Sequence, residues 1–502
     1  MAGSNADEWR KAMNEEIAAL SANGTWRLER PPPGARVLPC RWVYKVKITA
    51  DGDVERYKAR LVAKGYAQRE GVDYGELFAP TSRGTSLRAM LAIAAAEGLV
   101  VHQLDVTTAF LNGELKEELW MEQPPGYETE DKSLACRLLK SIYGLKQAPR
   151  CWYEKLTTEF AKLGLYPSKS DPAMFIKTDE RGMLVAIVHV DDTLVASKDL
   201  KLIEIVKKAI AKCFKVRDLG EAHVYLGMEI QRKENEEVVL SQQRYVEDLL
   251  RQYNMVDAKP RAIPLPVGMK VVPNKDTNIL PDPTVYRALV GKLNYLAVNT
   301  RPDISYALSV LSRSMAKPTK SALNLAFGVL RYLSGTRSLG LRYGGTGAAE
   351  LRGFSDSDWA GDPTTRRSTS GYVFLLNGGA ISWSSQLQKT VAVSSVEAEY
   401  QALSASVREA LWLRKLAEDL GFASDVINIS VDSLGALSLG NNPITSARSK
   451  HIDVQHHVVR ERVMRKEVNL EYCPTEFMVA DIFTKPLGVA KFVWCREALG
   501  LG

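Results

Sequence analysis

The chain has 502 residues, enough for about three domains of the usual ~150 residues, and its 45% hydrophobic content is that of a globular protein able to bury several cores. It contains no run of about 18 uncharged apolar residues, which excludes a membrane-spanning helix, and its N-terminal stretch mixes acidic with basic residues, unlike a signal peptide. The net charge of +7 suits a polyanionic partner without requiring one, and Cys40, Cys136, Cys151, Cys213, Cys473 and Cys495 form no C-x-x-C pair, as expected of reduced thiols in an intracellular protein that is not secreted.

In chain order, Trp9, Met13, Ile17 and Leu20 mark one face of an amphipathic helix whose start, Asn5 followed by Glu8, reads as a capping pair. The segments "RWVYKVKI" and "RYKARLVAKGYAQ" read as strands, "SLRAMLAIAAAEG" as a helix and "LVVHQLDV" as another strand. "MLVAIVHVDDTLVAS" sets Asp191 and Asp192 between two short apolar runs and predicts a hairpin with both carboxylates at its tip. The Pro-rich 259–283 reads as an extended linker, 285–333 as largely helical, and "YGGTGAAE" as a break before a strand-rich final segment. The resulting expectation is three parts, 1–257, 258–345 and 346–502, in an α+β multidomain chain.

Two adjacent aspartates at a tip repel one another, and a bound cation relieves that repulsion, although Asp is also a common turn residue. Asp105 ends the "LVVHQLDV" strand, from which it either reaches the same site or caps the next turn. Three aspartates form an all-oxygen cluster, the donor set of Mg²⁺ or Mn²⁺ and not of zinc, and such a cluster suits two-metal phosphoryl or nucleotidyl transfer.

The phrases "QLDVTTAFLNG", "HVDD", "SIYGLKQAPRCWYEKL" and "ERYKARLVAKGYAQREGVDY" closely resemble the reverse transcriptase of copia-type retrotransposons, and "YLGMEI", "NTRPDISYALSVLSR" and "VADIFTKPL" extend the resemblance over nearly the whole chain. It implies a right-hand polymerase of fingers, palm and thumb followed by a ribonuclease H-like mixed sheet with helices, active in a cytoplasmic particle or the nucleus. Asp105, Asp191 and Asp192 would be the palm triad. Phe110 falls where such enzymes keep an aromatic beneath the incoming sugar, with a core aromatic as the alternative. Gln147 matches a glutamine beside the nucleotide. Lys58 and Arg60, on one face of a strand by the two-residue period, would hold the triphosphate or template phosphates unless they form a solvated basic face. Tyr225, Leu226 and Gly227 resemble the primer grip. His189 stands where family members usually carry tyrosine, a change expected to alter efficiency without abolishing it.

In the last segment Asp356 and Asp432 end strands and Asp481 begins "DIFTKPL". Between them, Ser394 and Glu397 form a capping box that leaves Glu399 to face the sheet. The order Asp356, Glu399, Asp432, Asp481 looks like ribonuclease H, whose carboxylates hold two Mg²⁺ ions. Asp358 is the rival for the first position, with a turn role preferred. Cellular ribonucleases H place a histidine before the last aspartate, and "CPTEFMVAD" has none. His451, His456 and His457 lack the spacing of a structural zinc site. The reading is an RNA-directed DNA polymerase with ribonuclease H activity, two metal ions at each site, acting on an RNA template, a DNA primer, an RNA–DNA hybrid and deoxyribonucleoside triphosphates. The nucleocapsid, protease and integrase regions of family polyproteins are not in the sequence, so it reads as a fragment or truncated copy. The alternative is an inactive or host-recruited remnant that binds nucleic acid.

Overall fold

The structure, a computed structural model, describes residues 5–48, 53–269, 278–344, 350–422, 426–441 and 453–502, with the backbone alone at 48 and 453–457. Apolar residues three and four apart at the start of the chain wind into helix α1 (Ala6–Ala22), which buries Met13 and Leu20 as their spacing predicts. Asn5 occupies the N-cap position but its side chain makes no capping hydrogen bond, so the helix start relies on Asp7 and Glu8 in the first turn. Trp9 meets Tyr44 and Tyr57 edge-on at 5.0 and 4.7 Å, seating α1 on the antiparallel hairpin of strands Cys40–Ile48 and Val54–Ala63.

A strand that is apolar at every position can bury both faces. The strand Gly182–His189 does this along its apolar run from Leu184 to Val188: Leu184, Ala186 and Val188 enter one core and Val185 and Ile187 another. It lies in a six-stranded antiparallel sheet with the order Val216–Glu221, Val100–Val106, Asp192–Ser197, Gly182–His189, Met174–Asp179, Tyr166–Pro167. Helix α2 (Gly84–Glu97) contributes to one core, whereas α3 (Ala148–Ala161) and α4 (Leu200–Cys213) contribute to the other.

Every residue of α2 from Ser86 to Ala95 is buried, because the helix has structure on all sides. Arg88, within this apolar run, donates to the carbonyls of Ile381 (2.7 Å), Val298 and Asn299 (3.0 Å each) and lies 4.1 Å from the Trp383 ring centre. The Asn377 amide donates to the Ala92 carbonyl at 3.0 Å. The first and last parts of the chain are therefore joined by buried polar bonds as well as by one continuous apolar core.

Helix α5 (Gln243–Gln252) is followed by the Pro-rich segment, which runs through bends and a turn instead of extending and is pinned: Arg261 N–H donates to Arg331 O, and Arg331 Nε donates to Lys259 O at 2.7 Å. Residues 270–277 of that predicted linker lie outside the described residues. Helices α6 (Thr284–Asn299), α7 (Ser305–Ser312) and α8 (Lys320–Ser334) close on a buried ion pair. Arg301 grips Asp303 through two bonds of 3.0 and 2.7 Å, Asp303 also accepts from the Tyr332 hydroxyl, and Arg301 caps the Thr336 carbonyl at 2.9 Å. This gives the "NTRPDIS" phrase a structural reason. The strand Leu341–Tyr343 then returns to pair with Val238–Ser241, so one sheet runs across the boundary expected at 257. The Gly-rich break at 345–349 is outside the described residues.

The final part is a five-stranded mixed sheet with the order Gly379–Leu387, Thr369–Leu376, Arg352–Ser357, Ile427–Val431, Val468–Tyr472. The first three strands pair antiparallel and the last two join in parallel, with helix α9 (Ser395–Asp419) packed against the sheet. The molecule is thus α+β and multidomain, with a six-stranded antiparallel sheet in its first half and a five-stranded mixed sheet at its end. Among the described residues no helix is long and apolar enough to cross a membrane.

Candidate active sites

The hairpin at the palm turns through two residues, because His189 pairs with Asp192 and leaves only Val190 and Asp191 at the tip. Val190 adopts φ 60°, a conformation costly for a β-branched residue, and surrounding bonds hold it there. The Trp152 indole donates to Val190 O at 2.6 Å, and Val106 N–H donates to Asp191 O at 2.9 Å. Asp192 is also the register partner of Asp105 on the neighbouring strand, so the three predicted aspartates meet at one end of one sheet. Burial raises the Asp192 pKa, and Asp191 and then Asp105 push it further, against a 3.4 Å hydrogen bond from Gln103.

These carboxylates line a cleft of about 770 Å³ with seven basic side chains: Lys45, Lys47, Arg56, Lys58 and Arg60 from the fingers hairpin, and Lys215 and Arg217 from the far edge of the palm sheet. Lys58 has its pKa lowered by burial and then by Arg60, Arg56 and Lys47 around it. Arg60 lies 4.5 Å from the centre of the Tyr143 ring, which also lines the cleft. Lys215, Arg217 and Tyr143 were not singled out from the sequence. Arg217 sits in register with Asp105, but only the pairing of an edge strand brings it there.

Other expected residues lie elsewhere. Phe110 meets Tyr143 edge-on at 5.3 Å and is packed against two cores. It lines an adjoining apolar cleft of about 450 Å³, shared with Phe78, Trp152 and Val190, and not the acidic one. Gln147 is buried, accepting from Gln68 Nε2 and donating to Asp73 O, both at 2.9 Å, and so ties α3 to the 68–73 loop. Tyr225 is buried. Leu226 and Gly227 form the two-residue turn of the next hairpin, with φ 50° and 74°, and the Leu226 carbonyl accepts from the Tyr295 hydroxyl. A Cβ at Gly227 would stand 2.7 Å from that hydroxyl and would push it off the Leu226 carbonyl, and the positive φ also favours glycine there. His189 is half-buried at the base of the tip.

The second set is tighter. Asp356, Asp432 and Asp481 each offer a carboxylate oxygen within 4.8 Å of the others, and among the described residues no other group of three or more candidate ligands does so. Asp356 and Asp481 are buried and Asp432 half-buried. Burial pushes Asp356 up to about 7, with Lys485 opposing and Asp481 adding to the rise. Glu399 rises to about 9 through burial, then Asp356 and Asp432, while a backbone bond from Ser357 opposes it. Lys485 Nζ stands 2.7 Å from Asp481 and 3.5 Å from Asp356; burial disfavours its charge, yet these carboxylates hold its pKa above the ordinary value. Thr484 donates to Asp356, and Thr475 to Asp432 at 2.9 Å.

Glu397 forms the capping box read from the sequence with one shift: its N–H donates to Ser394 Oγ at 3.1 Å, but its carboxylate accepts from the N–H of Val393 at 2.8 Å, one residue before the N-cap. The Asp358 carboxylate accepts from the Thr369 amide, a turn role as expected, and burial lifts it to about 6. His451 and the side chains of His456 and His457 lie outside the described residues.

Residues 23–267 match the family model described as reverse transcriptase (RNA-dependent DNA polymerase). The chain is 41% identical over 501 residues to the retrovirus-related Pol polyprotein from transposon TNT 1-94 of Nicotiana tabacum, covering 98% of this chain and 38% of that polyprotein. It is 34% identical to the putative transposon Ty5-1 protein YCL074W of Saccharomyces cerevisiae, covering 61% of this chain and all of that protein. The foamy viral protease-reverse transcriptase, solved with double-stranded DNA, shares the fold with a TM-score of 0.51 at 11% identity, over 93% of this chain and 70% of that one. The chain thus spans well under half the length of the Pol polyprotein it matches, and it belongs to the copia-type retrotransposon Pol family, with its reverse transcriptase region at residues 23–267.

Proposed function

We propose that this chain copies RNA into DNA at the palm and hydrolyses the RNA of the resulting hybrid at the C-terminal site. The observation that carries this reading is the meeting of Asp105, Asp191 and Asp192 in a cleft that seven lysine and arginine side chains also line. An acidic floor under a basic rim fits metal-bound phosphate, since the acids favour cations and the bases favour the polyanion.

Asp105, Asp191 and Asp192 would hold Mg²⁺ or Mn²⁺ at the palm, and Asp356, Glu399, Asp432 and Asp481 at the second site, two ions in each. The donor sets fit: all are carboxylates, and the neighbours that add to the burial-driven rise of Asp192, Asp356 and Glu399 are themselves carboxylates, a like-charge repulsion that a bound cation would relieve. Bound metal would supply charge neutralisation and activation of the attacking oxygen, a primer 3′-hydroxyl at the palm and water at the second site. Lys58 and Arg60 orient the triphosphate or template phosphates. The Leu226–Gly227 turn supports the primer end, and Trp152 keeps the tip in its strained conformation. Phe110 limits the space at the sugar from the adjoining cleft, and Gln147 acts indirectly by fixing the loop beside it. His189 stands next to Asp191 and Asp192 at the primer side.

Extension of a DNA primer on an RNA template with Mg²⁺ and deoxyribonucleoside triphosphates tests the first activity, with Asp191→Asn as the blank. Release of labelled RNA fragments from a hybrid tests the second. Binding of both nucleic acids with neither reaction would leave only a nucleic-acid-binding remnant.

A further inference from the structure

Of the nine tryptophans, Trp359 alone has an exposed side chain, 58% accessible, and it lies three residues beyond Asp356 on the turn that leaves the strand Arg352–Ser357. That turn is fixed. Asp358 bonds the Thr369 backbone through both its carboxylate and its N–H, and Ala360, at φ 51°, donates its N–H to Ser368 Oγ at 3.0 Å. The indole N–H of Trp359 turns inward to the Ala392 carbonyl at 3.4 Å. Its polar edge is therefore engaged and its apolar face is left to solvent.

Ala392 precedes α9, the helix that carries Glu399, and Val391 and Val393 on either side of it are also exposed. Two loops thus form an apolar lip, one leaving the strand that carries Asp356 and the other entering the helix that carries Glu399, and the same loops carry exposed Arg366 and Lys389. An aromatic face with flanking bases suits nucleic acid, the bases meeting phosphates and the ring meeting a base or a sugar. In a duplex the bases are stacked on each other, so the surface such a lip can meet is the sugar edge of the minor groove. The side chains of Trp359, Val391 and Val393 present no hydrogen-bonding group to that edge. A ribose 2′-hydroxyl pressed against them would lose water without replacement, whereas deoxyribose presents only a methylene.

We propose that Trp359, with Val391 and Val393, packs against deoxyriboses of the DNA strand of an RNA–DNA hybrid, and so sets the RNA strand over the acidic cluster. The proposal rests on the hybrid-cleavage reading above. Its test compares wild type, Trp359→Ala and Trp359→Phe on an RNA–DNA hybrid with Mg²⁺, and on a second hybrid whose DNA strand carries ribonucleotides opposite the cut. For the alanine variant kcat/KM falls by about tenfold, mainly through KM, the phenylalanine variant stays within about threefold, and primer extension by both is unchanged. The ribonucleotide-bearing hybrid is cut several-fold less well by wild type, and the alanine variant loses that preference. A wild-type protein that cuts no hybrid removes the underlying reading. A wild-type protein that cuts, while Trp359→Ala cuts equally well with the same strand preference, overturns this proposal alone. If the alanine variant also loses primer extension, the second hybrid decides, and indifference of wild type to its ribonucleotides is the overturning result.

Discussion

The two acidic clusters of this molecule balance their charge in opposite ways. At the palm, Asp105, Asp191 and Asp192 face an open cleft whose bases stand mostly on another hairpin and on an edge strand. At the C-terminal site, Lys485 reaches directly onto Asp356 and Asp481 within the fold. A base held across a cleft can exchange its partner for a substrate phosphate, so the palm is set up for a large anionic ligand. A base bonded inside the cluster stabilises the fold before any metal arrives, and cations must compete with it.

The largest expected effect comes from a residue that serves both regions. Arg301→Met leaves the Asp303 carboxylate buried without its partner and should cost about 3–5 kcal/mol of stability, lowering both activities together in thermal unfolding and turnover measurements. Loss of one activity alone would mean that the helices around this pair support only one region. Lys485→Met should cost less, about 1–3 kcal/mol, since the side chain is 37% exposed, and the loss should shrink when Mg²⁺ is added. A loss indifferent to Mg²⁺ would remove Lys485 from the charge balance.

A pH dependence sharpens the same contrast. Asp356 at about 7 and Glu399 at about 9 lie above the ordinary carboxylate range, so the folded protein holds protons that the unfolded chain has released. Their contribution is fully present below about pH 4, the unfolded range, and is lost as pH rises towards about 9. Metal-free unfolding should therefore show a decline over that window that Mg²⁺ flattens, and a decline unchanged by Mg²⁺ would contradict metal binding there.

At the palm, Phe110→Val should lower the preference for deoxyribonucleotides over ribonucleotides by about tenfold, or ~1.4 kcal/mol, in single-nucleotide incorporation. An unchanged ratio together with a lower melting temperature would assign the ring to packing against Tyr143 alone. The smallest effect is electrostatic. Each phosphate contact made by a base of the cleft should add about 0.9 to the log-log slope of affinity against salt on duplex DNA, so Lys58→Gln should flatten that slope by about one contact.

The positions of the carboxylates were legible in the sequence because strand ends and a hairpin can be located from apolar runs: "MLVAIVHVDD" places Asp191 and Asp192, and the capping box at Ser394 and Glu397 leaves Glu399 to face the sheet, whereas grouping them into two sites needed the family resemblance. What lay beyond reach depends on partners far along the chain. Arg88 looks like a surface residue of α2 until the carbonyls of Val298, Asn299 and Ile381 close around it. Gln147 matches a nucleotide-binding phrase yet spends its amide on Gln68 and Asp73. Lys215 and Arg217 join the cleft only through the pairing of an edge strand, and the Pro-rich segment lacks any periodicity that would reveal its bonds to α8.

The central claim, that the two clusters are separate active sites on one frame, is tested most directly by assaying Asp191→Asn and Asp432→Asn for both reactions. The first variant should lose RNA-templated DNA synthesis and keep hybrid cleavage, and the second should do the reverse, each loss being at least a hundredfold, or roughly 3 kcal/mol or more of barrier. Loss of both activities from either single change, in a chain that still melts at the wild-type temperature, would contradict the account.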